Sequence, residues 1–146
     1  MKDGRQAPRV LVVDDEIIQR KVVGRQLARL EFIFDAAATA GEALELLRQK
    51  DFDVVLLDVQ MTEMSGLELL PLIRALEDAP EVIMLTLDKS LESGIAAMRD
   101  GAYDYLTKPA LTGELEIIVT RATEIAATRA AKFDVARFCR KQSSPS

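Results

Sequence analysis

Asp14 and Asp15 follow the apolar run Val10-Leu11-Val12-Val13. Asp58 follows Val54-Val55-Leu56-Leu57, Thr86 follows Val82-Ile83-Met84-Leu85, and Lys108 follows the stretch from Tyr103 to Thr107. These side-chain types belong together chemically. Carboxylates gathered in one crevice repel each other, and each resists ionising beside the next. A hard dication relieves that repulsion. Mg²⁺ takes oxygen ligands, prefers one or two carboxylates plus phosphate oxygens, and keeps several waters. Asp15 and Asp58 are the preferred direct ligands, Asp14 acts through water, and the backbone carbonyl of Gln60 offers another oxygen. With the metal bound, Asp58 becomes a nucleophile toward phosphorus and forms an aspartyl phosphate. The metal neutralises charge on the transferring group. Lys108 then pairs with one phosphoryl oxygen as a compact cation, and the Thr86 hydroxyl donates to another.

Singly, each residue has a plainer reading. Acids at positions 14 and 15 suit a helix N-terminus. Thr86 is an ordinary strand-end hydroxyl, Lys108 an ordinary surface lysine, and Tyr105 an ordinary half-buried strand residue. Asp58 is harder to dismiss, because an acid directly after a buried strand requires a partner.

The elements that must position these residues alternate short apolar runs with amphipathic stretches. After the first run, Ile17 to Leu30 carries apolar residues at 18, 22, 23, 27 and 30, read as one helical face. Phe32 to Ala37 reads as a second strand. Thr39 and Glu42 form a capping box for a helix over 40–50. Ser65 and Glu68 form another, opening a helix to about 77, with a bend or irregular turn expected at Pro71. A helix over 90–100 stops at Gly101, a C-cap residue. The last helix starts near Thr112 and continues to about Arg140. Five strands, each followed by a helix, predict a doubly wound parallel sheet, (βα)5, with helices on both faces and an extended C-terminal helix. In such a sheet ligands bind beyond the carboxyl ends of the strands. That rule brings Asp14, Asp15, Asp58, Thr86 and Lys108 to one crevice.

Composition narrows the alternatives. The chain has 146 residues, so one domain is expected. It has no histidine, which excludes a histidine-ligated zinc site and a Ser-His or Cys-His pair. The single cysteine, Cys139, cannot build a disulfide within the chain and fits a reducing compartment. A net charge of −5 argues against a broad nucleic-acid surface. Met1 to Arg9 is polar, so no secretory signal is expected there, and no run approaches the length needed to cross a bilayer. A cytoplasmic protein with no membrane contact and no direct nucleic-acid binding is expected.

The runs ending in Asp14-Asp15 and in Asp58-Val59-Gln60-Met61 are followed by Met64-Ser65-Gly66, Leu85-Thr86 and Gly101-Ala102-Tyr103-Asp104-Tyr105-Leu106-Thr107-Lys108-Pro109. In this order and spacing they make the chain resemble the receiver domain of two-component response regulators, a flavodoxin-like fold. The resemblance runs from about residue 9 to 128. It makes residues 1–8 an N-terminal tail, 9–128 the receiver domain, and 129–146 a helical extension and tail. It implies that Asp58 is phosphorylated by a histidine kinase or phosphotransfer protein, with Mg²⁺ as cofactor and Mn²⁺ as a substitute. It implies that Thr86 and Tyr105 are paired switch residues, the hydroxyl moving toward the phosphoryl group and the ring turning inward. It further implies a cis bond between Lys108 and Pro109 that aims the lysine into the site.

Two departures and two rate-tuning positions stand out. Thr62 stands where receivers often have proline. Leu87 replaces a small residue after the switch threonine and is positioned to narrow access to the phosphoryl site. Gln60 and Asp88 occupy the two positions that tune hydrolysis of the aspartyl phosphate in this family. The expected output is a change in the face made by the fourth helix, fifth strand and fifth helix, which controls an output domain or partner protein. That face and the C-terminal helix are also the two routes to a homodimer. Arg129, Lys132, Arg137, Arg140 and Lys141 make the extension basic, either as a linker or as a partner-binding helix. The competing enzyme reading is a haloacid-dehalogenase-type phosphohydrolase, but Gln60 stands where its second aspartate belongs. A third reading is an interaction scaffold that is never phosphorylated.

Overall fold

The computed structural model describes residues 8–87, 91–108 and 112–143, without the side chains of 91–93 and 129–143. Asp88, the Lys108–Pro109 bond, Cys139 and the basic side chains from Arg129 to Lys141 lie outside the described residues.

The elements alternate as β1 (Arg9–Val13), α1 (Ile17–Arg29), β2 (Ile33–Ala37), α2 (Ala40–Gln49), β3 (Val54–Asp58), α3 (Gly66–Arg74), β4 (Glu81–Thr86), α4 (Leu91–Arg99), β5 (Asp104–Thr107) and α5 (Thr112–Ser143). The sheet is parallel throughout, in the order β2-β1-β3-β4-β5. The chain leaves β1 in one direction to form β2 and returns across it to form β3, so the order reverses beside β1 and β3.

Strand alternation divides the core into two layers, because successive side chains point to opposite faces. Leu11, Val13, Val55, Leu57, Val82 and Met84 meet Ala43 of α2, Leu69, Leu70 and Ile73 of α3, and Ala97 of α4. Val10, Val12, Val54, Leu56, Ile83 and Leu85 meet Val23 and Leu27 of α1 and Leu115, Val119 and Ala122 of α5. Helices therefore cover both faces, as the alternating pattern predicts. The three central strands, β1, β3 and β4, are buried almost end to end. Polar residues survive in that setting only with partners.

Both predicted caps form. The Thr39 hydroxyl accepts from the Glu42 amide at 3.1 Å, and the Ser65 hydroxyl accepts from the Glu68 amide at 3.2 Å. Gly101, with φ of +99°, closes α4. Two expectations need correction. In α1 the buried residues are Val23, Gly24 and Leu27, while Ile18 is 70% exposed and Val22 45% exposed. At about 100° per residue, Ile18 lies on the opposite side of the helix from Leu27, so the apolar stripe is narrower than the sequence suggests. In addition, α3 ends at Arg74, short of residue 77, although it continues beyond Pro71.

Candidate functional site

The five residues singled out by type converge at the carboxyl ends of the strands. β1 ends at Val13, and Asp14 follows it, tied to β2 by its amide, which donates to the Ala37 carbonyl at 3.1 Å. Asp58 is the last residue of β3, in register with Leu85, and the next amide, of Val59, donates to the Leu85 carbonyl at 3.0 Å. Thr86 is the last residue of β4 and only 2% exposed. Its carbonyl accepts the Lys108 amide at 2.7 Å, which fixes the end of β5 beside it.

Carboxylate oxygens of Asp14, Asp15 and Asp58 all lie within 4.8 Å of one another. Asp14 and Asp58 are buried, and Asp15 is half-buried at the mouth. The Lys108 ammonium lies 2.8 Å from Asp14 Oδ2 and 3.0 Å from Asp58 Oδ1. Asp14 Oδ1 accepts the Glu16 amide at 3.0 Å, so both oxygens of Asp14 are engaged. Asp58 Oδ1 also accepts the Gln60 amide at 3.3 Å.

Burial pushes the Asp58 carboxyl up to about 6 from its ordinary 3.8, and the negative charge of Asp14 adds to the rise. The Lys108 hydrogen bond and charge, and the Gln60 amide, pull the other way without cancelling it. Burial also works against the Lys108 ammonium, but the two carboxylates more than offset it, so its value is raised above that of a free lysine. At neutral pH Asp58 is therefore a charged carboxylate that burial disfavours. Three carboxylates against one ammonium leave two negative charges uncompensated, the charge that one divalent cation supplies. An all-oxygen set with no sulfur or nitrogen ligand suits Mg²⁺. The residues present fit that ion.

Several further groups position these residues. The Thr62 amide donates to Asp15 Oδ2 at 3.0 Å, a bond a proline at that position would lack. The Arg20 guanidinium donates to the Asp14 carbonyl at 2.7 Å, one turn into α1. Gly66 begins α3 directly against the phosphoacceptor candidate. A Cβ there would meet the Asp58 carbonyl oxygen at 2.1 Å, so only glycine admits this approach. Leu87, 64% exposed, stands just after Thr86. Tyr105 is half-buried on β5, one strand position before Leu106 and paired in register with Met84.

Residues 10–120 match the family model described as the response regulator receiver domain. The chain belongs to this family. Among curated relatives, the receiver is 37% identical over 117 residues to the regulatory protein AtoC of Escherichia coli K12, covering 80% of this chain and 25% of that protein. It is 35% identical over 117 residues to the response regulator protein PilR of Pseudomonas aeruginosa, covering 80% of this chain and 26% of that one. The chain thus spans about a quarter of the length of these relatives. Among solved structures it is similar to a response regulator receiver domain protein (CheY-like) from Methanospirillum hungatei, with a TM-score of 0.79, 27% identity, and coverage of 85% of this chain and 99% of that one. The receiver domain of Francisella response regulator 1452 gives a TM-score of 0.70 with 32% identity, covering 80% of this chain and 97% of that one. A receiver domain is a signalling switch, and this one carries an aspartate cluster able to hold a metal ion. Among the described residues no helix is long and apolar enough to cross a membrane.

Proposed function

We propose that this receiver accepts a phosphoryl group on Asp58 from a histidine kinase or phosphotransfer protein and passes the signal to an output domain or partner protein. The observation that carries the reading is the bridge from Lys108 to both Asp14 and Asp58 inside a buried strand-end crevice. Mg²⁺ would be held by Asp15 and Asp58, with Asp14 acting through water because its own oxygens are engaged, and with the Gln60 carbonyl as a further ligand. The bound ion supplies charge neutralisation on the transferring group.

The chain's own residues do the rest. An oxygen of Asp58 forms the new bond to phosphorus as the bond from phosphorus to the donor nitrogen breaks, and that electron pair leaves with the donor. With acetyl phosphate the broken bond is to the acetate oxygen. Lys108 moves from carboxylate partner to phosphoryl partner over a short distance. The Thr86 hydroxyl donates to a second phosphoryl oxygen and pairs with Tyr105 as the switch. Gln60, Leu87 and Asp88 tune the return reaction, in which water takes the phosphoryl group and restores the Asp58 carboxylate. The only chemistry ascribed to the chain is its own phosphorylation and dephosphorylation. The face of α4, β5 and α5 then changes its affinity for a partner, an output domain or a second copy. Residues 9–128 form the receiver and 129–146 the helical extension and tail, which serve as a linker to that output or as a partner-binding segment.

Intact mass after incubation with acetyl phosphate and Mg²⁺ tests the reading. Wild type gains one phosphoryl group, and Asp58→Asn gains none. A wild type that stays unmodified, or an Asp58→Asn chain that is still labelled, sinks it.

A further inference from the structure

Gly94 lies in the middle of α4, where glycine weakens a helix relative to alanine. Its surroundings explain why it is tolerated there. A Cβ at this position would stand 2.7 Å from Cε1, 2.8 Å from Cζ and 2.9 Å from the hydroxyl oxygen of Tyr105. The tyrosine ring fills the space that a side chain at position 94 would need. Gly94 and Tyr105, with Ile95, Met98 and Arg99, also line an open groove of about 480 Å³ between α4 and β5. Ile95 and Met98 on its wall are 44% and 48% exposed.

We propose that Gly94 is the seat of the Tyr105 ring, so that the residue at position 94 sets both the ring's position and the shape of the α4–β5 groove. The atoms in conflict are the far end of the tyrosine side chain. The Tyr105 backbone is held by the β4–β5 ladder opposite Met84. A methyl group at 94 is therefore accommodated by rotation of the ring to another staggered position, with the strand left in place. The consequence for signalling rests on the proposed pairing of Thr86 with Tyr105. The seat itself does not.

The chain has only two tyrosines, Tyr103 and Tyr105, so Tyr103→Phe leaves a single reporter. In that background, labelled with 3-fluorotyrosine, Gly94→Ala moves the Tyr105 fluorine resonance and increases its response to solvent. An unchanged resonance and solvent response overturn the proposal. Urea unfolding of the full chain guards against a folding artefact. Once Tyr105→Ala has emptied the seat, Gly94→Ala favours the folded state by about two- to fivefold, the ordinary helix preference. With Tyr105 present that gain shrinks or reverses, up to loss of folding that the double variant rescues. An equal gain in both backgrounds, or a double variant that does not fold, overturns the seat. Phosphorylation from acetyl phosphate separates the two readings. A displaced ring with an altered labelling rate supports both. A displaced ring with an unchanged rate supports the seat and refutes the Thr86–Tyr105 pairing.

Discussion

Replacing Asp58 by asparagine should make the metal-free protein more stable at neutral pH, and the structure sets the size of the effect. Burial raises the folded-state carboxyl to about 6 from 3.8. An acid raised in this way binds its proton more tightly in the folded state. Its ionisation therefore removes stability as pH climbs from 3.8 to 6, and the full loss stands above pH 6. The loss is about 3 kcal/mol, of which about a third has accrued by pH 4.5. Asparagine keeps the shape, leaves Lys108 its partner Asp14 at 2.8 Å, and cannot ionise. Urea unfolding in EDTA should then show Asp58→Asn more stable than wild type by about 1–3 kcal/mol at pH 8, with the gap closing toward pH 4. Saturating Mg²⁺ should narrow or close the gap, because an ion at a hundred times its dissociation constant stabilises the wild type by about 2.7 kcal/mol and the variant binds it less well. An Asp58→Asn chain no more stable than wild type at pH 8 in EDTA would refute the account of Asp58 as a carboxylate held against its preference. So would a gain that persists undiminished at pH 4.

Other substitutions probe the neighbouring residues. Lys108→Met leaves Asp14 and Asp58 buried without their cation and should cost about 3–5 kcal/mol in EDTA at pH 8, with part recovered by Mg²⁺; a chain of unchanged stability contradicts the bridge. Gly66→Ala drives a methyl group into the Asp58 carbonyl and should cost about 1–3 kcal/mol, with reduced labelling by acetyl phosphate, read by thermal melting and intact mass. Glu31, exposed with φ of 65°, should give about 1 kcal/mol of added stability on Glu31→Gly in urea unfolding, with phosphorylation unchanged.

The site was legible because each of its members breaks a pattern. Asp58, Thr86 and the Asp14-Asp15 pair end buried strands, where a polar residue has few explanations besides a partner, and the topology brings strand ends together however far apart they lie in the chain. The doubly wound fold followed from the same alternation. What the residue types do not reveal belongs to the main chain or to space. The amides of Glu16, Gln60 and Thr62 hold the carboxylates, yet any residue but proline offers that group. Gly66 and Gly94 matter for atoms they lack, and a glycine in a sequence does not name the neighbour that needs the room. The buried face of α1 is narrower than its apolar residues suggest, because apolar type alone does not fix burial. Ile18, at 70% exposure, is a reminder that much of a folded surface is apolar.

The length of α5 has a mechanical consequence. The helix spans 32 residues, yet its last fully buried side chain among those described is Ala122. Beyond that anchor it runs for about 30 Å at 1.5 Å per residue. A helix of this length converts rotation at its root into travel farther along its axis. Tilting the anchored portion by about 5° carries a point about 30 Å along the axis roughly 3 Å.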